Sequence, residues 1–135
     1  MEDCPFCGII SGERDAYVLC ETERTIAFLD RNPATRGHTL VVPKIHREFL
    51  FTTDATLATP VFQTVDDVAM AIEDALEPDG VSLFYTSAAL VGEISHAHVH
   101  LLPRYSDDDI HLSLPRKFVT GDDAERVSER IRSAL

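Results

Sequence analysis

Three histidines alternate with small apolar residues in the segment His96-Ala97-His98-Val99-His100. Residues two apart in a β-strand lie on the same face. An extended segment here would therefore project three imidazoles to one side, each about 6–7 Å from the next. Imidazoles titrate near neutral pH and can act as bases, acids or nucleophiles. The strict alternation favours a reactive site over a polar strand face that carries histidines by chance.

Metal binding is the stronger rival interpretation of this segment, because His-x-His on a strand is a common way to present two ligands. The three histidines cannot all reach one metal from a regular strand without strain, since the outer pair lies about 13 Å apart at the backbone. A catalytic zinc ion held by all three is therefore a weaker hypothesis than histidine chemistry.

Two cysteines near the N-terminus, in Cys4-Pro5-Phe6-Cys7, are further candidates for chemistry. Two cysteines at this spacing form half of a tetrahedral zinc site. Taken alone, a redox motif or a structural knuckle explains the pair at least as well. Cys20 makes the cysteine count odd, which argues against a disulfide framework, and we expect it to pack as a small hydrophobic side chain.

The elements that must position these residues follow from the hydrophobic pattern. Segments 17–21 and 25–29 predict a hairpin, and strands are predicted over 38–42, 81–86 and 96–102. Apolar residues at three- and four-residue steps predict an amphipathic helix ending at Leu76, with Pro60 in its first turn and Thr59 as its cap. A terminal helix is predicted over 122–135. This order predicts an α+β domain with a mainly antiparallel sheet of about five strands, one main helix and a C-terminal helix.

Length and charge limit the classes of function. A chain of 135 residues is long enough for one compact domain, which we expect to span 1–135. The net charge of −11 repels nucleic-acid backbones and anionic membranes, so neither is an expected partner. It fits adaptation to high salt and an ordinary acidic cytosolic protein equally well. No apolar run approaches a membrane span, and the chain opens without a signal-peptide pattern, which predicts a cytoplasmic location.

The histidine segment resembles a known family signature. His-Ala-His-Val-His-Leu-Leu at 96–102 is similar to the repeating histidine–apolar signature of the histidine triad (HIT) family, and Pro-Arg follows it as in many members. Three earlier blocks also resemble the family, namely Cys4–Glu13, Thr25–Pro33 and Gly37–His46. The blocks span 3–104, which leaves 105–135 as an acidic C-terminal extension.

This resemblance implies a homodimer that binds a purine nucleotide or nucleotide conjugate and hydrolyses or transfers a nucleoside monophosphate. AMP or GMP phosphoramidates and dinucleoside polyphosphates are the implied substrates. His98 would attack the α-phosphorus and form a covalent nucleotidyl-histidine, His100 would hydrogen-bond the phosphate or the leaving atoms, and His38 would support the triad. The implied nucleotide-binding residues are Phe28, Leu29, Asp30, His38, His98 and His100, with Asp30 accepting hydrogen bonds from ribose hydroxyls.

The resemblance also selects one interpretation of the cysteine pair. In relatives with this opening, zinc is bound by the two cysteines, by the histidine of the Pro-Lys-x-His block and by the first triad histidine. The implied ligands here are Cys4, Cys7, His46 and His96. A closed site of four ligands is structural. It would hold His96 neutral and leave His98 as the free nucleophile.

The sequence departs from the family pattern just before the triad. Gly92 stands where many members carry a glutamine, and Glu93 places a negative charge near an anionic substrate. These changes motivate an alternative function, a nucleotide-binding interaction protein with little turnover. His111 lies outside every block, and we expect it on the surface.

Overall fold

The structure is a computed structural model, and it describes residues 3–87 and 94–135. Three α-helices and five β-strands follow one another along the chain. They are α1 (Pro5–Ser11), β1 (Val18–Glu21), β2 (Thr25–Leu29), β3 (Thr39–Pro43), α2 (Ala58–Leu76), β4 (Gly80–Phe84), β5 (Val99–Arg104) and α3 (Gly121–Ala134). The predicted α+β class, with one main helix and a C-terminal helix, is confirmed.

The five strands form one antiparallel sheet in the order β1-β2-β3-β5-β4. The predicted hairpin of β1 and β2 is present at one end. The last two strands do not follow the order of the chain, because β5 lies between β3 and β4. This exchange places the end of the histidine segment in the interior of the sheet, where strands are paired on both sides.

The two faces of the sheet are covered by different elements. Helix α2 packs on one face, where its apolar stripe buries Val61, Val65, Val68 and Ile72 against odd-numbered strand residues such as Val41 and Val99. On the opposite face, Phe6 of α1 packs against even-numbered residues of β2 and β3. This second cluster comprises Phe6, Ile26, Phe28, Leu40 and Val42. The even-numbered histidines belong to the α1 side.

Several predicted boundaries are wrong in detail. Strand β5 begins at Val99, so His96 and His98 precede the ladder, and it continues through Pro103 to Arg104. Pro43 likewise closes β3 as its last residue, because a proline lacks only the N–H donor and keeps a carbonyl that can accept. Thr59 is not the cap of α2. The capping residue is Leu57, which has no side-chain cap bond, and Ala58 begins the helix.

Among the described residues, no helix combines the length and the apolar composition that a membrane span requires.

Candidate active site and metal cluster

A row of directly paired residues crosses the sheet on the α1 side. Phe28 of β2 pairs with Leu40 of β3, Leu40 pairs with His100 of β5, and His100 pairs with Phe84 of β4. Paired residues in adjacent antiparallel strands present their side chains on the same face. The triad histidine of β5 therefore lies in a row whose other side chains are apolar.

A cleft of about 980 Å³ opens over Phe28, Leu40 and His100 of this row. Its walls come from α1 and the following loop, from the end of β2 and the turn after it, and from the histidine segment. The lining residues are Pro5, Phe6, Ile9, Arg14, Asp15, Ala16, Tyr17, Phe28, Leu29, Asp30, Arg31, Asn32, Pro33, Leu40, Ile94, His98 and His100. Phe28, Leu29, Asp30, His98 and His100, all singled out from the sequence, lie in this one cleft.

Among the described residues, His98 forms a hydrogen bond through one ring nitrogen only. Its Nδ1 lies 2.7 Å from the backbone oxygen of His96. A carbonyl oxygen can only accept, so Nδ1 carries the proton and Nε2 of the neutral ring keeps its lone pair. This is the tautomer that a nucleophilic Nε2 requires.

His38 and His100 form a second, complementary tautomer pair. The backbone N–H of Ala34 donates to His38 Nδ1 at 3.0 Å, so the proton of neutral His38 is on Nε2. That Nε2 lies 2.9 Å from His100 Nδ1 and donates to it, which leaves the proton of His100 on its own Nε2. The chain of bonds therefore makes His100 a hydrogen-bond donor beside a lone-pair nitrogen of His98, the two ring centroids being 5.0 Å apart.

Burial keeps both histidines of this pair neutral. It lowers the pKa of His38 below its ordinary value, against the opposing effect of the nearby Asp30 carboxylate. Burial, followed by the neighbouring imidazoles of His98 and His38, lowers the pKa of His100 to about 4. At neutral pH the hydrogen-bonded pair therefore carries no charge.

The backbone turn that delivers His38 depends on Gly37. Its φ of 93° lies in the left-handed region, which side-chain-bearing residues rarely adopt. A Cβ atom there would also lie 2.6 Å from Leu76 Cδ1 and 3.0 Å from Pro103 Cγ. Glycine is thus required twice, for the backbone angle and for the space.

Asp30 combines a turn role with a partly buried acceptor at the cleft. Its Oδ1 accepts the backbone N–H of Asn32 at 2.9 Å, as an aspartate that begins a turn does. Its Oδ2 lies 3.5 Å from His38 Nε2, and the residue lines the cleft. The carboxylate therefore retains accepting capacity toward a ligand.

Two aromatic residues of the site were not assigned from the sequence. Phe84 stacks on His100 with ring centroids 4.3 Å apart and an interplanar angle of 11°. Phe6 meets His98 edge to face at 5.1 Å, and it also contacts His96 and Phe28. The position of Phe6 inside the Cys4–Cys7 motif was a usable signal for it. The pairing of Phe84 with His100 depends on strand register, for which the local sequence carries no signal.

The four predicted zinc ligands come together at the start of α1. Ligand atoms of Cys4, Cys7, His46 and His96 all lie within 4.8 Å of one another. His96 Nδ1 lies 3.5 Å from Cys4 Sγ and 3.6 Å from Cys7 Sγ, and His46 Nδ1 lies 3.3 Å from Cys7 Sγ. Zinc at ordinary tetrahedral bond lengths separates sulfur and nitrogen ligands by about 3.6 Å. The four residues present therefore fit a zinc ion.

His96 is completely buried, unlike the other two histidines of the triad. Its Nε2 lies 2.7 Å from the carbonyl oxygen of Pro43 and donates to it, which directs the Nδ1 lone pair at the cysteines. An outer hydrogen bond of this kind orients a metal-ligating histidine. The triad is thus divided, with His96 in the cysteine cluster and His98 and His100 in the cleft.

Asp30, His38 and His100 form a second group with donor atoms within 4.8 Å of one another. The proton on His38 Nε2, fixed by the Ala34 N–H, is incompatible with metal ligation through that nitrogen. The hydrogen-bonded pair accounts for this group better than an ion does.

The structure also describes His111 and Cys20, but it does not describe Gly92 and Glu93. His111 is exposed, as expected, and Cys20 packs half-buried against the core as a free thiol. Gly92 and Glu93, which motivated the alternative function, lie outside the described residues.

Comparison with known proteins establishes the family. The HIT domain model matches residues 11–107. The curated "Protein hit" of Bacillus subtilis is 38% identical over 109 residues, which cover 80% of this chain and 75% of that protein. A crystal structure of a HIT family member from the same organism superimposes with a TM-score of 0.87 at 34% identity, over 98% of this chain and 97% of the other. The chain belongs to the HIT family.

Three further matches carry functional descriptions. The adenylylsulfatase HINT3 of Arabidopsis thaliana is 35% identical over 78% of this chain and 54% of that protein. The structure of a hypothetical histidine triad nucleotide-binding protein from Sulfolobus tokodaii matches with a TM-score of 0.70 at 38% identity, covering 96% of this chain and 90% of the other. A zinc-bound histidine triad family protein from Mycobacterium smegmatis matches with a TM-score of 0.72 at 28% identity, covering 99% of each chain.

Proposed function

We propose that this protein is a nucleotide hydrolase or transferase that cleaves the bond between the α-phosphate and its leaving group in a nucleoside monophosphate conjugate. The substrates are AMP or GMP phosphoramidates, dinucleoside polyphosphates or chemically similar conjugates. The observation that carries the proposal is the pair of opposite tautomers in one cleft. His98 offers an Nε2 lone pair, and His100 offers an Nε2 proton.

In the first step, the Nε2 lone pair of His98 attacks the α-phosphorus. A phosphorus–nitrogen bond forms, and the bond from phosphorus to the leaving group breaks. The leaving group departs with the electron pair and takes a proton from solvent. A covalent intermediate divides one difficult displacement into two easier ones. The carbonyl of His96 stabilises the positive ring by accepting a hydrogen bond from its Nδ1–H.

His100 binds the charge that develops on phosphate oxygen during this step. Its Nε2–H donates to a phosphate oxygen or to the leaving atom, and His38 keeps that proton in place. A fixed donor in a desolvated site stabilises developing negative charge without having to reorient. Water then attacks the nucleotidyl-histidine and loses a proton to solvent. A new phosphorus–oxygen bond forms as the bond to His98 breaks, the electron pair returns to His98 Nε2, and the nucleoside monophosphate leaves.

The nucleoside end of the substrate occupies the part of the cleft lined by Phe28, Leu29 and Asp30. The apolar wall packs against the base. Asp30 accepts hydrogen bonds from the ribose hydroxyls through the carboxylate lone pairs that its bond with the Asn32 N–H does not use. The nucleotide-binding relative from Sulfolobus tokodaii and the Arabidopsis adenylylsulfatase, whose name states an activity on adenylyl sulfate, support this class of ligand.

The proposal includes a structural zinc ion held by Cys4, Cys7, His46 and His96. When bound, it would cross-link α1 to the histidine segment and supply no chemistry to the reaction. The zinc-bound relative from Mycobacterium smegmatis and the spacing of the four donor atoms support this assignment. His96 then has a ligand role distinct from that of the cleft histidines.

The proposal also treats 1–135 as one HIT domain that works as a homodimer. Exposed apolar side chains on the edge strand β4 and the neighbouring loop, such as Leu83, Phe49 and Phe51, support an assembly of this kind.

Turnover of defined nucleotide conjugates tests the function. Purified protein is incubated with adenosine 5′-phosphoramidate, diadenosine tetraphosphate and adenosine 5′-phosphosulfate, and AMP release is followed by chromatography. We expect AMP from at least one substrate and a loss of at least about 1,000-fold in the His98→Ala variant. His111→Ala, an exposed histidine outside the cleft, serves as the matched control and should equal the wild type.

The result also separates the enzyme from the alternative function. Wild-type turnover no faster than that of His98→Ala on every conjugate would reject the enzyme. Tight AMP binding combined with that result would instead support a nucleotide-binding interaction protein.

A further inference from the structure

The ring of His100 is contacted from three directions. His38 Nε2 donates to its Nδ1 at 2.9 Å, and the ring of His98 meets it at an angle of 62°. Phe84 of β4 lies nearly flat against its face, with ring centroids 4.3 Å apart and an interplanar angle of 11°. Phe84 is not one of the residues that line the nucleotide cleft. Its contact with the site is therefore made through His100.

The hydrogen bond with His38 does not by itself fix the plane of the His100 ring. The outer torsion of a histidine side chain is broad and has no sharply preferred value. A hydrogen bond also tolerates departures of about 30° from a straight line. The ring could therefore tilt about its bonded Nδ1, and its Nε2–H would then swing away from a bound phosphate. A contact with the flat face of the ring removes this freedom.

Strand register places Phe84 where it makes this contact. Phe84 pairs directly with His100 across β4 and β5, so the two side chains are neighbours on the same face of the sheet. The next residue, Tyr85, packs on the α2 side, where its hydroxyl accepts the backbone N–H of Leu50 at 2.9 Å. Phe84 itself is 39% exposed. Its ring therefore lies between His100 and solvent rather than in the core.

This placement also contributes to the burial that keeps His100 neutral. Burial, followed by the imidazoles of His98 and His38, lowers the pKa of His100, and the Asp30 carboxylate opposes them. Phe84 adds no charge to this group. Its ring excludes water from one face of the imidazole, and loss of water disfavours the charged form. Without the ring of Phe84, we expect the pKa of His100 to rise toward its ordinary value.

We propose that Phe84 is a positioning residue, whose ring fixes the plane of His100 so that the Nε2–H of His100 points at the phosphate or the leaving atom. This inference rests on the proposed function for the role of His100 as a donor, whereas the orientation of the ring is a property of the free protein. A misplacement of about 1 Å in a preorganised site can lower the rate about 100-fold. A residue that orients the donor therefore affects kcat more than KM.

Variants of the complete protein at two phenylalanines test this role. Phe84→Leu removes the flat ring but keeps an apolar side chain, and Phe84→Tyr keeps the ring. Phe62→Leu is the matched control, because Phe62 of α2 is 38% exposed, almost as much as Phe84, and belongs to the helix on the opposite face of the sheet. If Phe84→Leu does not fold, Phe84→Met replaces it with the same expectations, since methionine is of similar size but has no flat ring.

The first measurement uses no nucleotide. Long-range proton–nitrogen NMR correlations of the histidine rings report the tautomer and the titration of His100 between pH 5 and pH 8. In the wild type, Phe84→Tyr and Phe62→Leu, we expect a neutral His100 with its proton on Nε2. In Phe84→Leu, we expect a mixture of the two tautomers and a titration midpoint at least about one pH unit higher than in the wild type.

The second measurement is steady-state kinetics with the conjugate that the wild type hydrolyses fastest. We expect kcat to fall about tenfold in Phe84→Leu, with KM changed by no more than about twofold, because the donor is misdirected while the binding residues stay in place. Phe84→Tyr should restore kcat to within about twofold of the wild type, and Phe62→Leu should equal the wild type.

A wild-type His100 spectrum in folded Phe84→Leu would overturn the proposal, as would an equal change in Phe84→Tyr or in Phe62→Leu. In an active enzyme, a change in kcat without a change in the spectrum, or the reverse, would also contradict it. An inactive wild type that gives the expected spectra would reject the proposed function and leave the orientation of His100 by Phe84 standing.

Discussion

His38 Nε2 lies 2.9 Å from His100 Nδ1, and the backbone N–H of Ala34 fixes the direction of the proton between them. One backbone amide in the turn before β3 therefore determines which nitrogen of His100 carries a proton in the cleft. The same principle operates at His98, where the carbonyl of His96 determines the tautomer. Main-chain atoms therefore determine the tautomers of both the donor, His100, and the proposed nucleophile, His98. Side-chain substitutions leave these main-chain atoms in place.

Removing the donor to His100 tests this assignment. We expect His38→Ala to lower kcat by about 10- to 100-fold with little change in KM, because His100 loses the bond that holds its proton on Nε2. His38→Gln can donate an amide N–H at an equivalent position and should retain more activity than His38→Ala. Steady-state kinetics with adenosine 5′-phosphoramidate measures both. Equal loss in the two variants would show that His38 acts only by packing.

Acid should destabilise the fold through His100. Its pKa falls from 6.5 to about 4 on folding, so between these values the unfolded chain binds more protons than the folded chain. The free energy of unfolding therefore decreases as the pH drops through this window, and the loss is complete below about pH 4. Urea unfolding at pH 7, 5.5 and 4.5 should show a shallower decrease in His100→Gln than in the wild type. The exposed His111→Gln variant should lose unfolding free energy with falling pH as steeply as the wild type. An equally steep loss in His100→Gln would contradict the account.

Metal content should distinguish the three cysteines. We expect about one zinc ion per chain in the wild type, and in Cys20→Ser, but little in Cys4→Ser or Cys7→Ser. Binding of a structural zinc ion is coupled to folding, so Tm should fall by about 10 °C or more in the two ligand variants and little in Cys20→Ser. Elemental analysis and thermal unfolding measure these effects. Full zinc retention in Cys4→Ser would instead favour ligation by the three triad histidines.

Asp30 should contribute to nucleotide affinity through its free acceptor capacity. Asp30→Asn keeps a side-chain oxygen for the N–H of Asn32 but removes the charge. We expect the Kd for AMP to rise about tenfold, since a hydrogen bond to a charged acceptor is lost. Asp15→Asn provides the matched control, because Asp15 also lines the cleft but is not assigned to the ribose. Calorimetric titration of both variants measures the change, and equal affinities for the two variants would remove Asp30 from the ribose site.

The sequence was sufficient for the fold class and for the grouping of the reactive residues. Alternation in 96–100 placed three imidazoles on one side, and the resemblance separated the predicted zinc ligand His96 from the predicted cleft residues His98 and His100. The structure brings both groups together. The roles of these residues stay predictions until activity and metal content are measured.

Contacts that depend on strand register were beyond the sequence. Phe84 reaches His100 because β4 pairs with β5 in one particular register, and a register is set by long-range packing. The strand boundary at Val99 has a similar origin. Ahead of Val99, the backbone N–H of Ala97 donates to the carbonyl of Arg47, and His96 Nε2 donates to the carbonyl of Pro43. Neither contact has a local signature in the chain.

The most direct test of the proposed chemistry is mass spectrometry of a reaction quenched during turnover. Wild-type protein mixed with adenosine 5′-phosphoramidate and denatured within milliseconds to seconds should contain a peptide heavier by one adenylyl group, and fragmentation should place that group on His98. An adduct located on His100 or on another residue, or turnover to AMP that leaves no adduct on the peptide containing His98 at any quench time, would contradict the account.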